Sequence, residues 1–135
     1  MMRSESRSQR GSAAAEIAIA LPVLLFALMG VIDLGRGVAA KAELGSAARA
    51  TTRYASVRSV TSGDAATADK IRNFLRGNVT GIDPSQVQVT TTWAPTNTRG
   101  SKVLVTVSYV FVPVVPFIPV HSIGLTSSSE SIISN

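Results

Sequence analysis

Residues 12–32, SAAAEIAIALPVLLFALMGVI, run for 21 positions with one charged side chain, Glu16. A helix needs about 20 mostly apolar residues to cross the roughly 30 Å hydrocarbon core of a bilayer. A soluble helix keeps a polar face, and this segment has none. The stretch therefore predicts a transmembrane helix over 12–35. Pro22 would break a helix in water, but membrane helices accommodate Pro when neighbouring groups satisfy the freed carbonyl.

The flanks orient the span. Residues 1–11, MMRSESRSQRG, carry Arg3, Arg7 and Arg10 against Glu5. That basic leader belongs in the cytoplasm, which sends the rest of the chain outside. Beyond the span, Arg36 and Lys41 are offset by Asp33 and Glu43. The expected topology is single-pass, N-terminus in the cytoplasm and C-terminal domain outside it.

Composition agrees with this division. The chain has 135 residues, 45% hydrophobic and only 16% charged, where soluble domains carry about 25% charged residues. The net charge of +5 invites a nucleic-acid reading. Part of that excess sits in the leader, and no basic stripe with interleaved aromatics follows, so no nucleic-acid partner is expected. There are no cysteines and one histidine, His121. Disulfide frameworks, thiolate chemistry and the usual zinc sites are excluded. No Gly-x-Ser-x-Gly elbow or Gly-rich phosphate loop occurs, and the carboxylates are scattered. The expectation is a non-enzyme with no catalytic residue, no metal, no cofactor and no small-molecule substrate.

Past the span the helix is predicted to continue to about Ser59. Ala40, Leu44, Ala47, Ala50, Tyr54 and Val57 form a stripe at helical spacing. That stripe suits packing on the chain's own domain or a seam with other subunits, and both readings stand. Ser62-Gly63-Asp64 interrupts the pattern. Asp64 is expected to cap a short helix over 65–76, with Ala68, Ile71, Phe74 and Leu75 on one side and Gly77-Asn78 at its end.

The second half switches to period two. Val87, Val89, Thr91 and Trp93 alternate with polar residues, as do Val103, Val105, Val107, Tyr109 and Phe111 after a Pro/Asn/Gly loop. These predict an antiparallel pair, with a third strand from Ile123 towards Ile133. Pro113, Pro116 and Pro119 make the end of the 103–120 stretch an extended apolar arm rather than a second span. The arm suits either an exposed partner surface or a cover for the domain's own core. The expected fold is α+β: leader 1–11, transmembrane helix 12–35, its extracytoplasmic continuation 36–60, and a small α+β domain over 61–135.

Glu16 costs about 2.5–3.5 kcal/mol inside an apolar helix on insertion scales. It lies one turn into the run, close enough to reach headgroups, and five residues after Gly11. Gly11-Ser12-Ala13-Ala14-Ala15-Glu16 has the form of a prepilin-peptidase site: basic tail, Gly, four residues, Glu, then an apolar helix. The stretch from Arg10 to Val57 resembles the N-terminal region of TadE-like proteins, small pilin-like components of tight-adherence (Flp, type IVb) pilus systems. The resemblance rests on Gly11, Glu16, Leu21-Pro22, Gly30-Val31-Ile32-Asp33-Leu34-Gly35-Arg36 and the Ala-rich helix ending Arg53-Tyr54-Ala55. One position departs from the pattern: the residue after the Glu, usually aromatic in such sites, is Ile17.

The resemblance implies a minor pseudopilin acting in pilus assembly. A prepilin peptidase would cut between Gly11 and Ser12, and Glu16 would set the register of docking. Its implied partners are the membrane, the peptidase, other pilin-like subunits and the assembly machinery. Two other readings remain. One is a permanent single-pass anchor displaying a small binding domain, and the other is a secreted protein cleaved after Ala40 at Val38-Ala39-Ala40.

Overall fold

The computed structural model describes residues 5–115 and 122–134, with side chains from Gly11 onward. His121, Pro116 and Pro119 lie outside the described residues.

One helix dominates the chain. Helix α1 runs from Glu5 to Ser56, 52 residues with Pro22 in its interior, and spans about 78 Å at 1.5 Å per residue. It ends three residues earlier than expected, because its last carbonyls find partners there. The Ser56 hydroxyl donates to Arg53 O, Arg58 Nη1 to Tyr54 O, and the Arg58 amide to Ala55 O. The carbonyl of Ser56 accepts from the Ser134 amide at 2.9 Å. Orphan carbonyls at a helix end need such partners, and here the chain's own C-terminus supplies one.

The short helix α2 spans Ala68–Gly77. It starts later than the predicted 65–76, since its cap is Thr67, whose hydroxyl accepts from the Lys70 amide. Asp64 instead takes ion pairs from Lys70 and, at 3.1 Å, from Arg58. Those bonds, the Lys70 one foremost, hold its carboxyl below the ordinary carboxylate range. Ile71 and Leu75 are buried, and Tyr54 stacks on Phe74 with ring centroids 4.3 Å apart. Ala68, the first residue of the helix, is exposed, so the predicted apolar side holds from Ile71 onward. Asn78 closes the end through its amide to Leu75 O and its side chain to Phe74 O.

A 3-10 turn at Pro84–Gln86 leads into a three-stranded antiparallel sheet in the order β1-β2-β3. The strands are β1, Gln88–Ala94; β2, Lys102–Phe111; and β3, Ile123–Ile132. The register pairs Thr91 with Val105 and Val105 with Ser129. Successive side chains alternate between faces, so Val103, Val105 and Val107 point together into the core. They pack there with Leu44, Ala47, Ala48, Ile71 and Leu75. The reverse face carries Thr90, Thr92, Leu104, Lys102 and Glu130, all exposed. Gly100, at φ +86°, opens β2 in a conformation an L side chain resists, and its amide donates to Ile133 O.

The sheet also settles what covers the outer part of α1. Leu44, Ala47, Ala48, Thr51, Thr52 and Ala55 are buried, and the helix packs on β3 and β2. The predicted stripe is right at Ala40, Leu44 and Ala47 but drifts off phase beyond them. Val57 lies outside the helix and is 42% exposed. Small residues on both elements permit a close approach. Thr52 Oγ1 reaches Ala48 O at 2.8 Å and Ser129 O at 3.1 Å, and a Cβ added at Gly45 would stand 3.6 Å from Ser127 Oγ. Serines alternate along the inner face of β3 where valines alternate along β2, and that difference seats the helix.

Candidate functional site

Two places on α1 carry the residues of interest, one at each end of its apolar run. At the N-terminal end, Gly11, Ser12 and Glu16 are all helical and exposed. Ser12 and Glu16 are separated by one turn, about 6 Å along the axis, and share a face of the helix. The next residue, Ile17, is 62% exposed.

Between the two ends the helix presents apolar side chains to its surroundings in every direction. Leu21, Leu24, Leu25, Phe26, Leu28 and Val31 are all exposed. Only 6% of the most apolar 18-residue window is buried by the rest of the protein. A core helix of a soluble domain is mostly buried, so the length and apolarity fit a single-pass membrane anchor.

At the C-terminal end stands Asp33, whose structural role the sequence does not announce. It is buried among residues that are otherwise exposed. Its Oδ2 accepts the backbone amides of Val114 at 2.7 Å and Val115 at 2.9 Å. Its Oδ1 accepts Arg36 Nη1 at 2.7 Å. Arg36 in turn lies over the Phe111 ring, 5.3 Å from its centroid. One carboxylate thus fastens the start of the arm, residues 112–115, to the helix. As a charge, Asp33 offsets Arg36 in the topology count. As an acceptor, it replaces the ladder that the arm lost when β2 ended at Phe111. Buried backbone amides need such a partner. The arm resolves its two readings in part: Val115 is buried against the protein, while Val112 and Val114 are exposed.

A second carboxylate works in the same manner further along. Glu43 Oε1 accepts the Thr80 amide at 2.8 Å, tying the 78–83 loop to α1. Lys41 Nζ donates to Thr126 O on β3. Pattern reading found none of these contacts, because each joins residues 37 or more apart in sequence. The nearest signal was the acid-bearing motif at 30–36 itself, placed where the apolar run stops.

Between α1, the arm and β3 lies an apolar groove of about 790 Å³, lined by Leu34, Val38, Phe111, Pro113, Ile123 and Leu125 among others. Gly30 opens it at the inner end, and Lys41 and Arg49 stand along its outer part. Among the described residues no three His, Cys, Asp or Glu side chains converge.

No curated protein and no solved structure matches the chain. The family model described as TadE-like protein matches residues 11–53. The matched stretch starts at Gly11, takes in the apolar run and the Asp33–Arg36 pair, and stops three residues before α1 ends. Over residues 11–53, then, the long helix that carries both places is similar to TadE-like proteins.

Proposed function

We propose that the protein is a minor pseudopilin of a tight-adherence pilus, anchored in the inner membrane by α1 and processed by a prepilin peptidase. The observation that carries the reading is the coincidence of the TadE-like match, which begins at Gly11, with a helix whose apolar run begins one residue later. The TadE-like segment associates the chain with pilus systems, and the exposed run supports a membrane anchor.

On this reading residues 1–11 are the cytoplasmic leader, 12–35 the span, 36–60 its extracytoplasmic continuation and 61–135 the outer domain. Arg3, Arg7 and Arg10 hold the leader inside. The peptidase cuts between Gly11 and Ser12. Because these residues are helical, the first turns must open to present an extended bond, and local opening is cheapest near a helix end. Cleavage leaves a new α-amine on Ser12. In an assembly that amine meets the Glu16 carboxylate of an adjacent subunit. Two unit charges about 4 Å apart attract by about 4 kcal/mol at an effective dielectric of 20, and desolvation removes much of it. What survives is register: a neighbour docked at another height leaves Glu16 unpaired beside an apolar helix.

The intact mass of the protein isolated from membranes tests the reading. Loss of residues 1–11 is expected, and Gly11→Ala should block it. Glu16→Ala should keep membrane insertion but lose co-isolation with pilin-like subunits and surface fibres. A full-length mass would favour a permanent anchor, and a start at Lys41 would favour secretion after Ala40.

A further inference from the structure

The outer domain has an apolar side that the fold leaves open. Leu34 is 69% exposed and Val38 63%. The groove's other wall is Phe111, Pro113 and Ile123, and Val112 and Val114, which alternate with those lining residues along the arm, are exposed at 54% and 61%. Isolated exposed apolar residues need no explanation, but a contiguous set beside an apolar groove does.

Its height is set by Asp33. From Ser12 to Asp33 the helix rises about 32 Å, close to the roughly 30 Å of a hydrocarbon core. Asp33 therefore stands at the outer edge of the bilayer when Ser12 stands at the inner edge. Its carboxylate holds the amides of Val114 and Val115, so the arm is held at that same edge. The surface is also continuous with the span: Gly30 belongs both to the apolar run and to the groove wall, and Leu34, one residue past Asp33, lines the groove next to it. A lipid chain beside the span reaches the groove past Gly30 and Leu34, beside the Asp33 carboxylate that also lines it. Arg36 follows about 4.5 Å beyond Asp33 along the helix, at the level of headgroup phosphates, where a basic side chain favours anionic lipid.

We propose that the 112–115 arm and the adjoining groove form a lipid-contact surface, seating the outer domain on the outer leaflet. Acyl chains lie against Val112, Val114, Leu34 and the adjoining groove wall, with phosphates at the level of Arg36. The domain then has one fixed face towards the membrane instead of swinging on a free helix. The inference rests on the reading of α1 as a membrane span.

The absence of cysteine makes the test direct. Single variants Leu24→Cys, Val112→Cys, Val114→Cys and Thr90→Cys of the full chain are labelled with a small fluorophore. Each is reconstituted in phosphatidylglycerol/phosphatidylethanolamine vesicles carrying spin-labelled acyl chains. Loss of emission is expected at Leu24 with the deep spin label and at Val112 and Val114 with the shallow one. Thr90, on the exposed face of β1, should respond only to aqueous iodide. Iodide quenching of Val112 and Val114 equal to that of Thr90, with Leu24 still quenched by lipid, overturns the proposal and leaves the span intact. An unquenched Leu24 overturns both. Oxidative disulfide formation between two copies at Val114, without lipid quenching there, would place a second copy of the chain on this surface and also overturn it.

Discussion

The two halves of α1 are built from similar residues and meet different surroundings. Over 12–32 nearly every side chain is apolar, and almost none is covered by the protein. Over 40–55 the apolar residues are smaller, mostly Ala with Leu44, and they are buried on one side only. The difference teaches what each half packs against. A bilayer accepts bulky Leu, Ile and Phe around the whole circumference and demands no complementary shape. A sheet at close range demands small residues on the contacting side, and Gly45, Ala48 and Thr52 against Ser127 and Ser129 supply them. Asp33 marks the change, as the first buried residue of α1 past the apolar run.

The comparison predicts opposite responses to equivalent truncations. Leu44→Ala should destabilise the outer domain by about 2–5 kcal/mol, the usual cost of emptying a fully buried leucine site. Leu24→Ala should leave the denaturation midpoint of that domain unchanged. Urea titration of both variants in detergent micelles, followed through Trp93 fluorescence, makes the measurement. Equal losses would show that the inner half is part of the domain's core.

Asp33→Ala should cost about 1–3 kcal/mol, because it leaves two backbone amides without their acceptor. The effect should be local. Hydrogen exchange at Val114 and Val115 should accelerate, while Val105 at the centre of the sheet stays protected. Unchanged exchange in the arm would separate Asp33 from the boundary role that the comparison assigns to it.

Thr52→Val should cost about 1 kcal/mol, removing the hydroxyl contacts to Ala48 O and Ser129 O at nearly constant volume. A shift in the urea midpoint smaller than that of Leu44→Ala would agree. No shift would mean that close approach alone, without the hydrogen bond, holds the helix to β3.

The smallest effect concerns Asp64, whose ion pairs with Lys70 and Arg58 are exposed to solvent. Its folded pKa is lowered, so its contribution is present above the unfolded value of about 3.9 and disappears as pH falls through the lower folded value. The difference in melting temperature between the native chain and Asp64→Asn should be small at neutral pH and vanish in strong acid. A difference that grew on acidification would contradict the sign.

The sequence by itself determined the elements and their order. The apolar run, the helical spacing of Ala40, Leu44 and Ala47, and the alternating valines at 103–107 are periodicities, and periodicity follows from backbone geometry within one segment. Gly11, Ser12 and Glu16 form a short, contiguous pattern, and the roles proposed for them rest on that pattern. Only the tertiary structure decided which face of α1 is covered beyond Ala47, because that depends on where β3 lies against it. It also decided that α2 begins at a threonine cap: Asp64 is a good cap in isolation, but Arg58 and Lys70 claim its carboxylate. The role of Asp33 was decided there as well. A carboxylate at the end of an apolar run has a charge in any fold, but it accepts the amides of Val114 and Val115 only because the sheet returns the chain, 81 residues later, to the same point on the helix.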